Sequence, residues 1–369
     1  MIGTRIKLAR KKAGLSLRGL AEAMDNRVSA QAIGKYERGE MVPGSDVLIA
    51  LSKALDVSIP YLMDTQGISL TAVDFSTKAN TTAKDRARVE TSLLEWVERY
   101  LQIEQLLDLD SAAWEQPINP PEPVKALEEA EGLAERIRQE WNLGFDPIPN
   151  MTELLEEKGL KVLIDDLPDR VSGFTCLVQQ ANGLPELPVV VINRNKTLER
   201  RRLVMAHELA HRAIDPKFLL EKDEERFAQR FAGAFLMPRT HLEQEVGKRR
   251  NALSHQELMD LKRIYRVSGA ALLVRLRDID IISDSTLTYA FQTFACGWRT
   301  QEPEEIEPKD RRGEYEKERR FERLCYRALA EKLISVPKAA ELLRRSFDDI
   351  EAGLKGPAQI NNAQSTVFC

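Results

Sequence analysis

The heptapeptide Met205-Ala206-His207-Glu208-Leu209-Ala210-His211 constrains this chain more than any other stretch. Its apolar residues recur at helical spacing, and on an α-helix positions i and i+4 share a face. His207 and His211 can therefore reach one metal ion. Glu208 stands where a carboxylate can act as general base toward water at that ion. The chain has only four histidines, so two of them at this spacing weigh against a surface helix with two solvated imidazoles.

Two histidines alone do not make such a site; at least one further protein ligand is needed, with one position left open. His241 and His255 are poor candidates, and His255 lies in Ser254-x-x-Glu257, which reads as a helix capping box. The acidic run Asp223-Glu224-Glu225 opens the next helical segment, which can fold back antiparallel after a short turn. The small Ala228 on the Glu225 face lets that segment approach closely. Asp215 continues the i, i+4, i+8 face from His207 and His211, but it precedes Pro216, where the helix should end. The order of preference is Glu225, then Glu224, then Asp215. Two nitrogens and a carboxylate suit zinc, and manganese or iron could also be held.

At 369 residues the chain has room for two or three domains. Its net charge of -4 demands no nucleic-acid partner globally. The first 63 residues, however, carry ten basic and six acidic side chains, which hints at a phosphate-facing module. The four cysteines are far apart and fit no metal spacing, as expected of thiols in a reducing cytoplasm. The polar, basic N-terminal stretch does not read as a secretory signal, and no apolar run approaches a membrane span.

Residues 1–64 form a first predicted domain. Ile2, Ile6, Ala9 and Ala13 make a helix face ended by Gly14, and Ser16 caps a second helix from Leu17 to Met24. A third helix runs from Ser29 to about Arg38, with Gly39 following it. Leu48, Leu51 and Leu55 mark a fourth, and Val57, Ile59 and Leu62 close the core. Two short helices joined by a tight turn make a helix-turn-helix arrangement. The residues Gly14-Leu15-Ser16, Leu20-Ala21, Val28-Ser29, Ile33, Tyr36-Glu37-x-Gly39, Pro43, Leu48 and Leu51-Ser52-Lys53-Ala54-Leu55 resemble the Cro/CI-type (XRE) helix-turn-helix family. That resemblance implies double-stranded DNA as a partner, with the helix from Ser29 in the major groove. The groove-facing positions would be Ala30, Gln31, Gly34 and Lys35. Gln31 could read adenine, Lys35 could reach guanine or a phosphate, and Arg27 and Arg38 would hold the backbone. Small residues at Ala30 and Gly34 leave few base contacts. Paired half-sites make a homodimer plausible, and use of the module for protein contacts alone is the competing reading.

Residues 65–121 read as a connector: a polar linker from Thr65 to Thr82, then a long helix from Lys84 to Leu109. Its apolar stripe of Val89, Leu93, Val97, Tyr100, Ile103 and Leu107 suits either a second chain or packing within this one. Pro117 to Pro123 is a boundary. Residues 122–283 form the catalytic candidate. Helices are expected over Val124–Trp141 and Met151–Lys158, then short strands at Leu160–Ile164, Gly173–Gln179 and Val189–Ile192. The histidine helix runs from about Thr197 to Ile214 and the acidic-start helix from Glu221 to Leu236. Residues 284–369 form a C-terminal helical region, with helices over Glu322–Leu333 and Val336–Arg345. The charge-dense stretch 301–320 reads as a solvated helix or linker, and the last dozen residues as a frayed end. The fold class is mainly α (α+β), with one small sheet.

Several blocks in the third segment, taken together, are similar to the ImmA/IrrE metallo-endopeptidase family: Arg136-Ile137-Arg138 with Trp141, Asn193, Arg201-Arg202, Ala206-His207-Glu208-Leu209-Ala210-His211, Glu225-x-x-Ala228-Gln229-x-Phe231-Ala232-x-x-Phe235-Leu236-Met237-Pro238, and Val267-Ser268-x-x-Ala271-Leu272-x-x-Arg275-Leu276. The resemblance implies His207, His211 and Glu225 as metal ligands and Glu208 as catalytic base. Gln229 departs from the family, which often has Asn there, and no histidine follows in the turn after His211. The implied activity is metal-dependent cleavage of a regulatory protein, such as a repressor or antitoxin, in a stress or DNA-damage response. An extended substrate could add to the sheet edge at Gly173–Val178. The alternative is a DNA-binding repressor or toxin–antitoxin component whose metal site is structural or inactive.

Overall fold

The computed structural model describes residues 2–63, 67–71, 82–109, 114, 116–180 and 185–355. Most of the Thr65–Thr82 linker and the last dozen residues lie outside them. The chain forms two compact units, residues 1–94 with 113–318, and residues 95–112 with 319–369.

The first unit begins with five helices: α1 (Ile2–Ala13), α2 (Leu17–Ala23), α3 (Ala30–Glu37), α4 (Ser45–Leu55) and α5 (Ile59–Met63). The starts of α2 and α3 are set by side-chain caps. Ser16 accepts from the Gly19 N–H, and Ser29 accepts from the Ala32 N–H. Gly39 follows α3 with φ +73°, a conformation that costs a side chain little only when there is none. Ile6, Leu20, Ile33, Leu51 and Leu62 are fully buried and form the core. Arg10 on α1 grips Glu37 at the end of α3 through two hydrogen bonds of 2.6 and 2.9 Å, so Glu37 has a structural job.

Then come β1 (Ser69–Thr71) and the long helix α6 (Ala83–Leu106). All six residues of the apolar stripe on and after α6 are buried within the single chain, which favours intramolecular packing over pairing with a second chain. Beyond α6 lie β2 (Glu122–Pro123), α7 (Glu129–Glu140), α8 (Met151–Glu157), β3 (Lys161–Asp165), β4 (Gly173–Gln179) and β5 (Leu187–Asn193). They are followed by α9 (Leu198–Ala213), β6 (Ile214–Asp215), α10 (Glu221–Leu236), α11 (Arg239–Val246), α12 (His255–Tyr265), α13 (Gly269–Asp278) and α14 (Asp284–Gln292). The capping box at Ser254 and Glu257 is present.

The main sheet has the order β1-β4-β5-β3, with β3 parallel to β5 and the other pairs antiparallel. Strand β5 is buried along its whole length, as an interior strand under a helix must be. Helix α9 lies against it. Gly173 of β4 sits tightly between them: a Cβ there would stand 2.8 Å from the Val204 side chain of α9 and 2.7 Å from the Val191 carbonyl of β5. Helix α10 packs on both α7 and α9: Phe235 meets Trp141 at the end of α7, and Ala228 and Ala232, on the Glu225 face, are fully buried. Small residues on that face let α9 and α10 approach closely.

The stretch 301–320, read from sequence as a solvated helix or linker, is neither among residues 301–318. It holds one 3₁₀ turn, Lys309–Arg311, and two of its carboxylates, Glu307 and Glu316, are buried. Glu307 pairs with Arg201 at 2.8 Å, and Glu316 pairs with Arg202; the four side chains are almost wholly buried. The Glu316 carboxylate also accepts the Met151 N–H, and Arg202 donates to the Ile148 carbonyl. Lys262 on α12 binds Glu199 of α9 at 2.5 Å, and Glu199 accepts the Ile306 N–H. The segment thus straps α9 to α8 and α12. Residues 284–318, grouped by sequence with the C-terminal region, belong to the first unit.

The second unit contains the end of α6 with α15 (Arg320–Ala330), α16 (Val336–Leu343) and α17 (Phe347–Lys355). Tyr100 stacks on Phe321, and the buried Glu95 pairs with Arg344 at 2.6 Å.

Candidate metal centre

His207 and His211 leave α9 on the flank that faces α10, because Ala206, Leu209, Ala210 and Ala213 take the buried side. Their Nε2 atoms stand 3.2 Å apart. Glu225, in the second turn of α10, places one carboxylate oxygen 3.7 Å from the Nε2 of His207 and the other 4.0 Å from that of His211. One donor atom from each residue lies within 4.8 Å of the others, and this is the metal-capable cluster among the described residues. A tetrahedral ion with nitrogen ligands at roughly 2.0–2.1 Å needs them about 3.3 Å apart, so the imidazole pair fits. Glu225 is 44 % exposed in its side chain, so the cluster is open to solvent on that side.

The two rival carboxylates stand elsewhere. Glu224 contacts the other nitrogen of His211, Nδ1, at 2.9 Å. A carboxylate there fixes the ring's tautomer and orientation and leaves Nε2 as the available donor. Asp215 accepts the Lys217 N–H at 3.2 Å and caps the turn after α9. Gln229 lines a large cavity next to Glu225.

Glu208 projects from α9 toward β4, where the Thr175 side chain hydrogen-bonds it. Burial pushes its carboxyl above the usual range, while His211 and the Thr175 bond pull it back. Thr175 carries no signal in the sequence; its role comes from strand alternation, which turns it toward α9. On the outer edge of β4, β1 already pairs with Leu177, Val178 and Gln179. The edge proposed from sequence for an extended substrate is therefore shortened. Among the described residues no strand pairs there with Gly173–Cys176.

In the N-terminal helices, Arg27, Gln31, Lys35 and Arg38 are exposed on or beside α3. Ala30 is half-buried, and Ser29 spends its hydroxyl on the helix cap. Gly34 departs from its expected groove-facing place. It is buried, and a Cβ there would meet Arg38 at 3.2 Å and Leu17 at 3.6 Å, because α2 packs across that face. Arg38 is held by Glu40 at 2.6 Å in an exposed pair.

A helix-turn-helix family model matches residues 6–62, and the model of the IrrE N-terminal-like domain, a peptidase family, matches residues 155–277. No curated protein and no solved structure gives a significant match. Among the described residues no helix is long and apolar enough to cross a membrane. The first match supports a DNA-binding regulator, and the second supports a peptidase-type enzyme that uses a divalent metal. The chain is a fusion of an XRE-type helix-turn-helix domain with an ImmA/IrrE-like peptidase domain.

Proposed function

We propose that this protein is a DNA-binding regulator whose peptidase domain cleaves internal peptide bonds of another regulatory protein, a repressor or an antitoxin, in response to stress or DNA damage. The observation that carries the reading is the convergence of His207, His211 and Glu225 beside Glu208. In this reading the three residues hold one divalent metal, with zinc the best match to two imidazoles and a carboxylate. When bound, the metal supplies Lewis acidity that polarises the scissile carbonyl and lowers the pKa of water. Glu208 accepts the proton of the attacking water and delivers it to the leaving amine. The Thr175 hydrogen bond and the flanking strand fix where that carboxylate points. The Gly173–Cys176 edge of β4 aligns an extended substrate by main-chain hydrogen bonds. Glu224 orients His211. The domain boundaries proposed are 1–64, 65–121, 122–283 and 284–369, with residues 301–318 serving the peptidase as its strap.

The test is digestion of an unstructured peptide library by the full-length protein, with products identified by mass spectrometry. Cleavage at internal bonds should vanish with a chelator and return on adding zinc. Products that are indifferent to chelation would remove the reading.

On the DNA side, Arg27, Gln31, Lys35 and Arg38 are the contacts we propose, with Ser29 and Ala30 at the entering end of α3. Lys35→Ala should weaken binding to duplex DNA severalfold and flatten the slope of log affinity against log salt by about one unit, as loss of one phosphate contact does. Fluorescence anisotropy over a salt series reads both. An unchanged slope would place Lys35 off the backbone.

A further inference from the structure

A cavity of about 1270 Å³ opens beside the metal centre within the first unit, with Glu225 in its wall. One side is the outer face of α9 from Thr197 to Leu203; another is α10 from Glu225 to Gly233; α13 and the segment 298–312 complete it. Nine basic and five acidic side chains line it. The pairing within the cavity is lopsided. Of the five acids, Asp278 pairs with Arg277, Glu305 with Arg312, Glu302 accepts the Gly269 N–H and lies 3.6 Å from Lys262, Glu225 faces the two histidines, and Asp280 has no Lys or Arg within 4.0 Å among the described residues. Among the described residues no carboxylate lies within 4.0 Å of the cations Lys196, Arg200, Arg299 and Lys309, and Lys196 donates instead to the Asp169 carbonyl at 2.5 Å. Arg299 rests on the Phe291 ring at 4.3 Å, and Arg200 donates to the Ser172 hydroxyl at 3.4 Å. The N-terminus of α9, a sixteen-residue helix, adds its positive end to the same space. Charges left unpaired in a concave, partly desolvated wall produce a positive potential that selects anions.

We infer that this cavity is the part of the substrate cleft that takes an acidic stretch of the protein substrate, close in sequence to the bond that is cut. This rests on reading the metal centre as a peptidase site. Continuity argues for a peptide: Glu225 belongs both to the metal cluster and to the cavity wall. Arg200 lies seven residues before His207 on α9, about 10 Å along the axis. An extended chain covers that span in about three residues. The acidic side chains of the substrate are therefore placed about three or four positions from the scissile bond. Of the four cations, Arg299 and Lys309 lie outside the segment that matches the peptidase family, and Lys196 and Arg200 lie within it.

The experiment is fluorescence anisotropy with full-length protein and two labelled flexible peptides, one carrying a run of glutamates and the other glutamines in their place. The glutamate peptide should bind about tenfold tighter, which two or three partly shielded ion pairs supply. The advantage should disappear in Arg200→Glu/Arg299→Glu, whose sites are exposed, and shrink in Lys309→Glu. Circular dichroism checks that each variant is folded. Equal affinity for the two peptides, or an advantage that survives the double variant, overturns the proposal. Displacement of the peptide by a nucleotide at lower concentration than by free glutamate peptide overturns it in favour of a nucleotide site. The glutamate preference without metal-dependent hydrolysis would remove the peptidase reading alone. Hydrolysis without the preference would remove the acidic-cleft proposal alone.

Discussion

Glu208→Gln should reduce the rate of peptide cleavage by about 10²–10⁴-fold, the usual worth of a positioned general base. The substitution keeps the size of the side chain and its hydrogen bond to Thr175, so fold and metal content should stay at wild-type levels. Gln cannot accept the proton from water, and that single loss is what the rate reports. Binding of duplex DNA should be unchanged, because α3 and its caps are untouched. Cleavage at wild-type rate would exclude Glu208 as the base. A loss of metal along with activity would mean that the carboxylate is a ligand or a structural support instead.

The second large effect concerns the strap. Glu316 is the carboxylate partner of Arg202, and both are buried. Burial pulls the Arg202 guanidinium below its usual range, and Glu316 holds it up. Glu316→Ala leaves a buried cation facing the Ile148 carbonyl and little else, so the first unit should lose about 3–5 kcal/mol of stability. Arg202→Met with Glu316→Leu removes both charges and should recover most of that loss, since apolar replacement of a buried pair is often neutral. Chemical denaturation of the three proteins reads this directly. A change below about 1 kcal/mol for Glu316→Ala would show that the strap does not hold α9. Because α9 carries His207 and His211, loosening the strap should also widen the metal cluster.

What the sequence made legible was local. The i, i+4 histidines, the serine caps, the glycine stops and the Ser254 capping box all act within a few residues, so spacing alone locates them. Glu225 could be ranked above Glu224 because helix periodicity says which carboxylate shares a face with Ala228. Its neighbour's contact with His211 Nδ1 needed the packing of α10 on α9. The strap was not legible for a related reason. Glu307 and Glu316 meet Arg201 and Arg202 more than a hundred residues away. A dense run of mixed charge reads as solvated until such partners are known. Gly34 failed differently: a face counted from Ile33 gives direction, but only the position of α2 shows that Leu17 covers it. Thr175 and the pairing of β1 with β4 are likewise products of register, which no single strand declares.

Whether His207, His211 and Glu225 hold a metal is read by elemental analysis of the purified full-length protein beside Glu225→Ala, Glu224→Ala and Asp215→Ala. Wild type should carry about one equivalent of divalent metal, the stoichiometry of a single site. The metal should be lost from Glu225→Ala and retained by Asp215→Ala. Glu224→Ala should bind it about 10–100-fold more weakly, as removal of a carboxylate behind a histidine ligand does. A folded wild-type protein without metal, or a Glu225→Ala variant that keeps its full equivalent, would exclude a metal held by these three residues.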